Sequence, residues 1–295
     1  MKKITLLLLT TIFTLTATFA QFNRRMQRTV TADAHVMTFN IRYDNPKDGV
    51  NSWEKRKEKV AQIILDHQVD ILGIQEALHH QVLDLEKMLL NYDWMGVGRD
   101  DGIEKGEYSP IFYNKNKFTE VGSGYFWLSE SPMQAGSVGW DAAAPRVATF
   151  AKLKDNRTGT VVFVLNTHFD HIGRKAREES VKLILQKLNA YTRKEKFPII
   201  VTGDFNADPT SDIIKSLTNK QNPLHLTDAG ATAEVYSGPS WTFHGFGKTP
   251  IHDRKVLDYV MVRNNVSILE HHVLFDENEK HFPSDHCPVL VKVEF

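Results

Sequence analysis

The stretch Pro198-Ile199-Ile200-Val201-Thr202-Gly203-Asp204-Phe205-Asn206-Ala207-Asp208-Pro209 decides how this chain is read. Its apolar, β-branched run, closed by Gly and Pro, predicts a buried strand. Strand side chains alternate between faces, so Asp204 and Asn206, two apart, are expected on one face. A carboxylate and a carboxamide there can hold a water and an anionic oxygen together. The plainer alternative is an Asx-turn after the strand, in which the two side chains bond their own backbone.

Upstream, Val181, Ile184, Leu185 and Leu188 recur at helical spacing and predict an amphipathic helix leading into this strand. Similar strand and helix units open the chain. Residues 36–41 predict a strand, 53–67 a helix, 70–75 a buried strand and 78–90 a second helix. Residues 109–113, 118–127, 147–153 and 161–166 predict further strands, with a hairpin turn at Asn156-Arg157-Thr158-Gly159. Residues 210–255 are rich in loop formers, and strands resume at 256–262, 266–274 and 288–295. No linker or short repeat interrupts residues 34–295, which predicts one domain. Alternating strands and helices at both ends, with antiparallel strands between, suit two packed sheets with helices outside.

Polar residues gather where these strands end. Asn40, Glu76, His168, Asp204, Asn206, Asp258, Asp285 and His286 all lie in or beside a predicted strand or its exit. Each has a modest explanation of its own, such as a helix cap for Glu76 or a satisfied core imidazole for His168. Eight such placements in one chain are costly unless the groups satisfy one another or bind something.

The whole chain narrows the setting. It has 295 residues, 41% hydrophobic, enough for a substantial core. Lys+Arg and Asp+Glu are 36 each, so the formal charge is zero. That argues against a stable nucleic-acid partner gripped through its phosphates. Lys2 and Lys3, an apolar segment over residues 4–19 and Thr18-Phe19-Ala20 read as a signal peptide of residues 1–20. Residues 21–33 are then a flexible lead-in. No Cys follows the cleavage point to accept a lipid, so a protein exported to the periplasm or medium, with no membrane anchor, is expected. A monomer is the expected state. The single cysteine, Cys287, allows no internal disulfide, and its place at the start of an apolar run suits packing better than nucleophilic chemistry.

Phe39-Asn40-Ile41, Ile74-Gln75-Glu76, Asn166-Thr167-His168, Gly203-Asp204-Phe205-Asn206, Leu257-Asp258-Tyr259 and Ser284-Asp285-His286 occur in one order along the chain. In that order they resemble the endonuclease/exonuclease/phosphatase superfamily, the DNase I-like metal-dependent phosphoesterases. The resemblance spans residues 35–295. It implies an α/β fold, a four-layered α/β/β/α sandwich of two packed mixed sheets, and metal-assisted hydrolysis of a phosphodiester or phosphomonoester.

It also implies roles. Mg²⁺ (or Mn²⁺) is the expected cofactor, since such ions take oxygen ligands and need few from the protein. Glu76 is the first expected ligand, with Asn40 supporting it through a carbonyl oxygen and Asp285 completing the site. Asp204 is expected to orient and deprotonate the attacking water. Asn206 and His286 are expected to donate to phosphate oxygens, with Asp258 orienting His286. His168 is expected to act as an electrophile or as a general acid. Arg146 matches a strand arginine of some branches and is expected either to clamp a phosphate oxygen or to be a surface charge. Asp170 and His171 follow His168 where many relatives lack such a pair; they could shape the pocket, bind a second metal or pair with each other.

The partner is a phosphoester whose identity lies in the loops. Trp241 and His244 are placed near the substrate, against the alternative that they pack a loop down. A secreted nuclease and a non-catalytic phosphate-binding protein are the other two functions the residues allow.

Overall fold

Residues 31–276 and 281–295 are described by a computed structural model; the leader of residues 1–20 and most of the lead-in lie outside the described residues. Fourteen-residue and nineteen-residue helices and two sheets dominate the chain. In order they are β1 (Asp33–Asn40), α1 (Trp53–Asp66), β2 (Ile71–Gln75), α2 (His79–Met88), β3 (Tyr92–Met95), β4 (Ile111–Asn114), β5 (Phe118–Trp127), β6 (Val147–Asp155), β7 (Val161–His168), α3 (Arg174–Thr192), β8 (Ile199–Asp204), α4 (Asp212–Thr218), β9 (Thr227–Asp228), α5 (Ala229–Thr232), β10 (Val235–Ser237), β11 (Asp258–Arg263), β12 (Ser267–Val273) and β13 (Val289–Glu294). No helix among the described residues is long and apolar enough to cross a membrane.

The first sheet runs β10-β12-β13-β1-β2-β4-β3 and the second β5-β6-β7-β8-β11-β9; both mix parallel and antiparallel neighbours. Strand alternation sorts their side chains into three cores. Ile200, Val164, Ile71 and Val36 meet between the sheets. Ile199 and Val201 turn outward against Val181, Ile184, Leu185 and Leu188 of α3. On the far side Leu72 and Ile74 turn toward Val60, Ala61 and Ile64 of α1 and Val82 and Leu85 of α2. Four layers follow, helix, sheet, sheet and helix. Strands covered on both faces read as unbroken apolar runs, which is why β2 and β8 were legible as buried.

The interface between sheets turns polar just below the strand ends. Gln75 donates to Thr38 Oγ1 (3.0 Å) and Asn166 Oδ1 (2.7 Å), and Thr202 donates to the same Asn166 oxygen (3.0 Å). Asn166 in turn donates to the carbonyls of Ile74 (2.7 Å) and Pro110 (2.9 Å). A Cβ at Gly73 would stand 2.1 Å from Thr202 Oγ1 and 2.6 Å from Asn166 Oδ1. Only glycine lets the sheets approach here.

Register brings the polar ends level. Asn40 pairs with Gln75 across β1 and β2, His168 with Asp204 across β7 and β8, and Asp204 with Asp258 across β8 and β11. Elements inside the loop-rich third were not expected. Helix α4 is one of them: Ser211 caps it through the Ile214 N–H, and Ile213, Ile214 and Leu217 bury one face. Its seven residues are too few for periodicity to show. The edge strand β3 was also unforeseen, because only Tyr92 of its four residues is buried.

Candidate active site

Asp204 ends β8 and is almost wholly buried. Its Oδ1 accepts the Asn206 N–H (2.9 Å) and its Oδ2 accepts Asn40 Nδ2 (3.0 Å). The plainer expectation for this stretch holds, since the Asx-turn forms, and it leaves the carboxylate fixed in place; the strand alternation does not extend to Asn206. Asn206 lies beyond the strand at φ 46°, so the turn, not the pleat, sets its place relative to Asp204. Burial holds the Asp204 carboxyl above the ordinary carboxylate range, with Asp258 repulsion adding and His286 opposing.

The His286 ring sits between two carboxylates. Nδ1 lies 2.8 Å from Asp258 Oδ2 and Nε2 lies 3.8 Å from Asp204 Oδ2. Burial alone would lower its pKa, but Asp258, Asp204 and Asp285 outweigh that and raise it to about 10. His286 is thus an imidazolium at neutral pH. Asp258 is anchored in turn by the Thr242 hydroxyl, and Phe243 sets its ring edge-on to His286 with centroids 5.0 Å apart.

His168 behaves differently. Burial first, then the charges of Arg146 and Arg99, push its pKa well below the ordinary imidazole value. Asn206 Nδ2 lies 3.0 Å from its Nε2 and 3.0 Å from the Phe169 carbonyl oxygen. A carbonyl only accepts, so this amide nitrogen faces both partners and His168 Nε2 accepts too. Two expectations change. Both Asn206 N–H groups are committed, so a phosphate oxygen reaches them only by displacing His168 or Phe169. With Nε2 accepting, the ring proton of His168 lies on Nδ1, which is buried without a partner, so any proton donation would come from that side.

Glu76 follows β2 at φ 66°, which turns its side chain toward Asn40. Its Oε1 accepts Asn40 Nδ2 (3.0 Å) and its Oε2 accepts the Tyr43 N–H (3.2 Å). Asn40 Oδ1 accepts the Arg42 N–H (3.0 Å). Asn40 therefore meets Glu76 through its nitrogen and does not present a carbonyl oxygen beside it, as the sequence had suggested. Asp285 stands across from Glu76, with the Arg42 guanidinium 3.9 Å from one and 3.8 Å from the other. Burial raises the Asp285 carboxyl pKa, and the Glu76 charge adds to the rise.

These two carboxylates, 15% and 13% exposed, form an oxygen-only pair at the mouth of the site. Carboxylate oxygens of this kind suit a hard divalent cation. Asp204, Asp258 and His286 also have ligand atoms within 4.8 Å of one another. A metal there would need His286 neutral, whereas its two acidic neighbours favour the proton. The chemistry fits the Glu76 and Asp285 pair better.

Arg146, immediately before β6, is buried and is not a surface charge. Its Nε donates to Asp170 Oδ2 (3.2 Å) and its Nη2 to His171 Nδ1 (2.9 Å), while Nη1 is buried without a partner. Asp170 and His171 thus pair with Arg146 and not with each other. Asp170 also accepts the N–H groups of Gly173 (2.7 Å), Ile172 (2.9 Å) and Ala143 (3.1 Å). Burial would raise its pKa; these donors and Arg146 bring it down to about 2. A carboxylate this fully bonded supports the arginine and is not free for substrate or a second metal.

His244 and Trp241 take the packing alternative. His244 is buried, accepts the Gly247 N–H at Nδ1 (3.0 Å) and stands edge-on to Phe282. Burial lowers its pKa to about 4. Trp241 lies against Phe275 and under the Arg254 guanidinium.

The sequence did not single out Glu107. Tyr108 bridges to Ala77 (N–H to O, 2.7 Å), which sets Glu107 near Glu76 and places its Oε2 4.0 Å from His168 Nδ1. Arg99 pairs with it at 2.6 Å. Burial and the Glu76 charge raise its carboxyl pKa.

A family model described as the endonuclease/exonuclease/phosphatase family matches residues 37–286. A solved endonuclease/exonuclease/phosphatase from Bacteroides vulgatus is 42% identical, with a TM-score of 0.86 over 90% of this chain and 99% of that one. A mannosyl-6-phosphatase from Bacteroides thetaiotaomicron is 36% identical, with a TM-score of 0.83 over 89% of this chain and 100% of that one. Mouse nocturnin is 25% identical over 268 residues, covering 82% of this chain and 59% of that protein. The chain spans about six tenths of the length of the curated relatives it matches first.

Proposed function

Since the chain belongs to the endonuclease/exonuclease/phosphatase family, a family of phosphoesterase hydrolases, we propose that it is an exported, divalent-metal-dependent enzyme that hydrolyses a small phosphorylated sugar. The observation that carries the chemistry is the pairing of a base at the end of β8 with an acid in the segment leading into β13. Asp204, its proton affinity raised by burial, takes the proton of the attacking water; an elevated carboxylate is better matched to that task near neutral pH. His286, kept protonated by Asp258, donates to a phosphate oxygen. Arg146, gripped by Asp170 and His171, offers its unpartnered Nη1 to another. Asn40 and Asn206 hold Asp204 from both sides and act as positioning residues.

Glu76 and Asp285 would hold Mg²⁺ or Mn²⁺, which when bound neutralises charge on the phosphate. The sugar phosphate is supported by the likeness to the mannosyl-6-phosphatase. Export is supported by the charged and apolar leader over residues 2–19. The neutral formal charge favours a small ester over long nucleic acid.

The test is a panel of sugar phosphomonoesters, nucleotides, lipid phosphodiesters and plasmid DNA with Mg²⁺ or Mn²⁺. The Asp204→Ala protein serves as the control. Turnover of sugar phosphates that disappears in the variant is expected. Nicking of plasmid with no sugar phosphate turnover would identify a nuclease instead, and metal-independent or absent turnover would end the proposal.

A further inference from the structure

The site described so far accounts for one phosphate. A cleft of about 380 Å³ opens beside it, with Asn206 in its wall. That volume lies within the usual range for small-ligand sites, about 300–1,000 Å³. Its other charged walls are Arg174 and Arg177 of α3, Lys255 just before β11, and the acids Asp208 and Asp212.

We infer that this cleft is a second anion subsite, which receives a phosphate or carboxylate carried by the substrate away from the scissile phosphate. The inference rests on the phosphoesterase function and deepens it. Its basis is which charges are already committed. Asp212 is paired with Arg174 at 3.4 Å, and Arg174 also with Glu178 at 2.9 Å. Asp208 accepts both the hydroxyl and the N–H of Thr210. Ser211 donates to the Asp208 carbonyl (2.6 Å) and caps α4, so no hydroxyl is free to read a neutral sugar.

The two remaining cations make no ion pair among the described residues, although Asp208 across the cleft, its carboxyl pKa lowered first by the Thr210 hydroxyl, is lowered further by the Lys255 charge. Arg177 Nη1 donates to the Asp170 carbonyl (2.7 Å), which fixes the guanidinium, while its Nε is buried without a partner. Lys255 is rooted by its carbonyl, which accepts the N–H groups of Thr242 (2.8 Å) and Phe243 (2.9 Å). Among the described residues its ammonium forms no salt bridge, and Asp208 is the acid that feels its charge. An anion held by these two groups sits against Asn206, whose N–H positions Asp204. A fixed, half-buried guanidinium and an exposed ammonium suit a group of high charge density.

The experiment titrates the Asp204→Asn protein, by calorimetry, with glucose 1,6-bisphosphate and glucose 6-phosphate. The same pair is compared by kcat/KM in the otherwise unaltered enzyme. The bisphosphate is expected to bind at least about tenfold more tightly, the scale of one charge-assisted hydrogen bond. Lys255→Glu, and separately Lys255→Met with Arg177→Gln, are expected to erase that preference. Equal affinities, no binding of either sugar, or a preference that survives both variants would overturn the subsite. A binding preference without turnover would overturn the hydrolase function and leave the subsite standing; turnover with equal affinities would do the reverse.

Discussion

Asp204 and Asp258 face each other as cross-strand partners on β8 and β11, and the His286 imidazole lies between their carboxylates. Two acids directly opposite in a ladder repel. The proton on His286 makes their juxtaposition tolerable, so the proposed base and the proposed acid of the site are set by one electrostatic balance.

The first consequence concerns Asp258→Asn. Losing that charge removes the largest influence that raises His286 above the ordinary imidazole value. The limb of the pH–rate profile on which activity falls at high pH is expected to move to lower pH. At pH 8 kcat is expected to drop about 10²-fold or more, as for the loss of an aligned acid. Steady-state rates on a sugar phosphate from pH 5 to 10 check this, and an unmoved limb would show that His286 does not act through its proton.

Metal removal gives the second. Chelation of the purified protein is expected to abolish turnover, and Mg²⁺ or Mn²⁺ to restore it. Glu76→Gln keeps the side-chain size but loses the charge next to Asn40 and Tyr43. It is expected to raise the metal concentration for half-maximal rate by more than about tenfold. An unchanged metal requirement would move the cation elsewhere, with the Asp204, Asp258 and His286 trio as the next place to look.

Gly73→Ala probes the packing under the site. The added methyl would meet Thr202 and Asn166 at 2.1 and 2.6 Å, in a layer with no room to yield. Overpacking of this kind costs about 1–3 kcal/mol. For a domain this size the melting temperature should fall by roughly 2–4 °C per kcal/mol. A thermal melt checks it; an unchanged midpoint would mean that the sheets slide apart freely at this point.

Acid stability provides the fourth. The folded Asp170 carboxyl has a depressed pKa, from 3.8 to about 2. Its ionised form therefore stabilises the fold above the unfolded value, and this contribution is lost as pH falls from about 4 to about 2. The contribution is about 2 kcal/mol. Urea midpoints across that interval should fall in the natural protein, and Asp170→Asn should show a shallower fall. Parallel curves would remove Asp170 as the cause.

The strands that carry the site were legible because β2 and β8 are covered on both faces and so are apolar throughout. Residues at strand ends, such as Asp204 and Asp258, could be singled out for the same reason, as could His286 just before β13. Glu107 could not, because it is placed by a bridge between Ala77 and Tyr108, far apart in the chain. Nor could the partner of Asp170 and His171 be read, since Arg146 reaches them only once β6 and β7 are paired. Asn206 shows a subtler limit. Its spacing from Asp204 suggested the alternation of a strand, but a left-handed backbone after the strand sets the actual geometry.

Asn40 ends a strand of the first sheet, yet its amide nitrogen joins Glu76 on that sheet to Asp204 on the second. The carboxylate assigned to the metal and the one assigned to water thus share a single alignment pin across the seam of the sandwich. A shear between the sheets would misalign both at once, before any strand unpaired. Turnover therefore serves as a vernier on interlayer registry, and is expected to fail under mild denaturant at concentrations where circular dichroism still reports intact secondary structure.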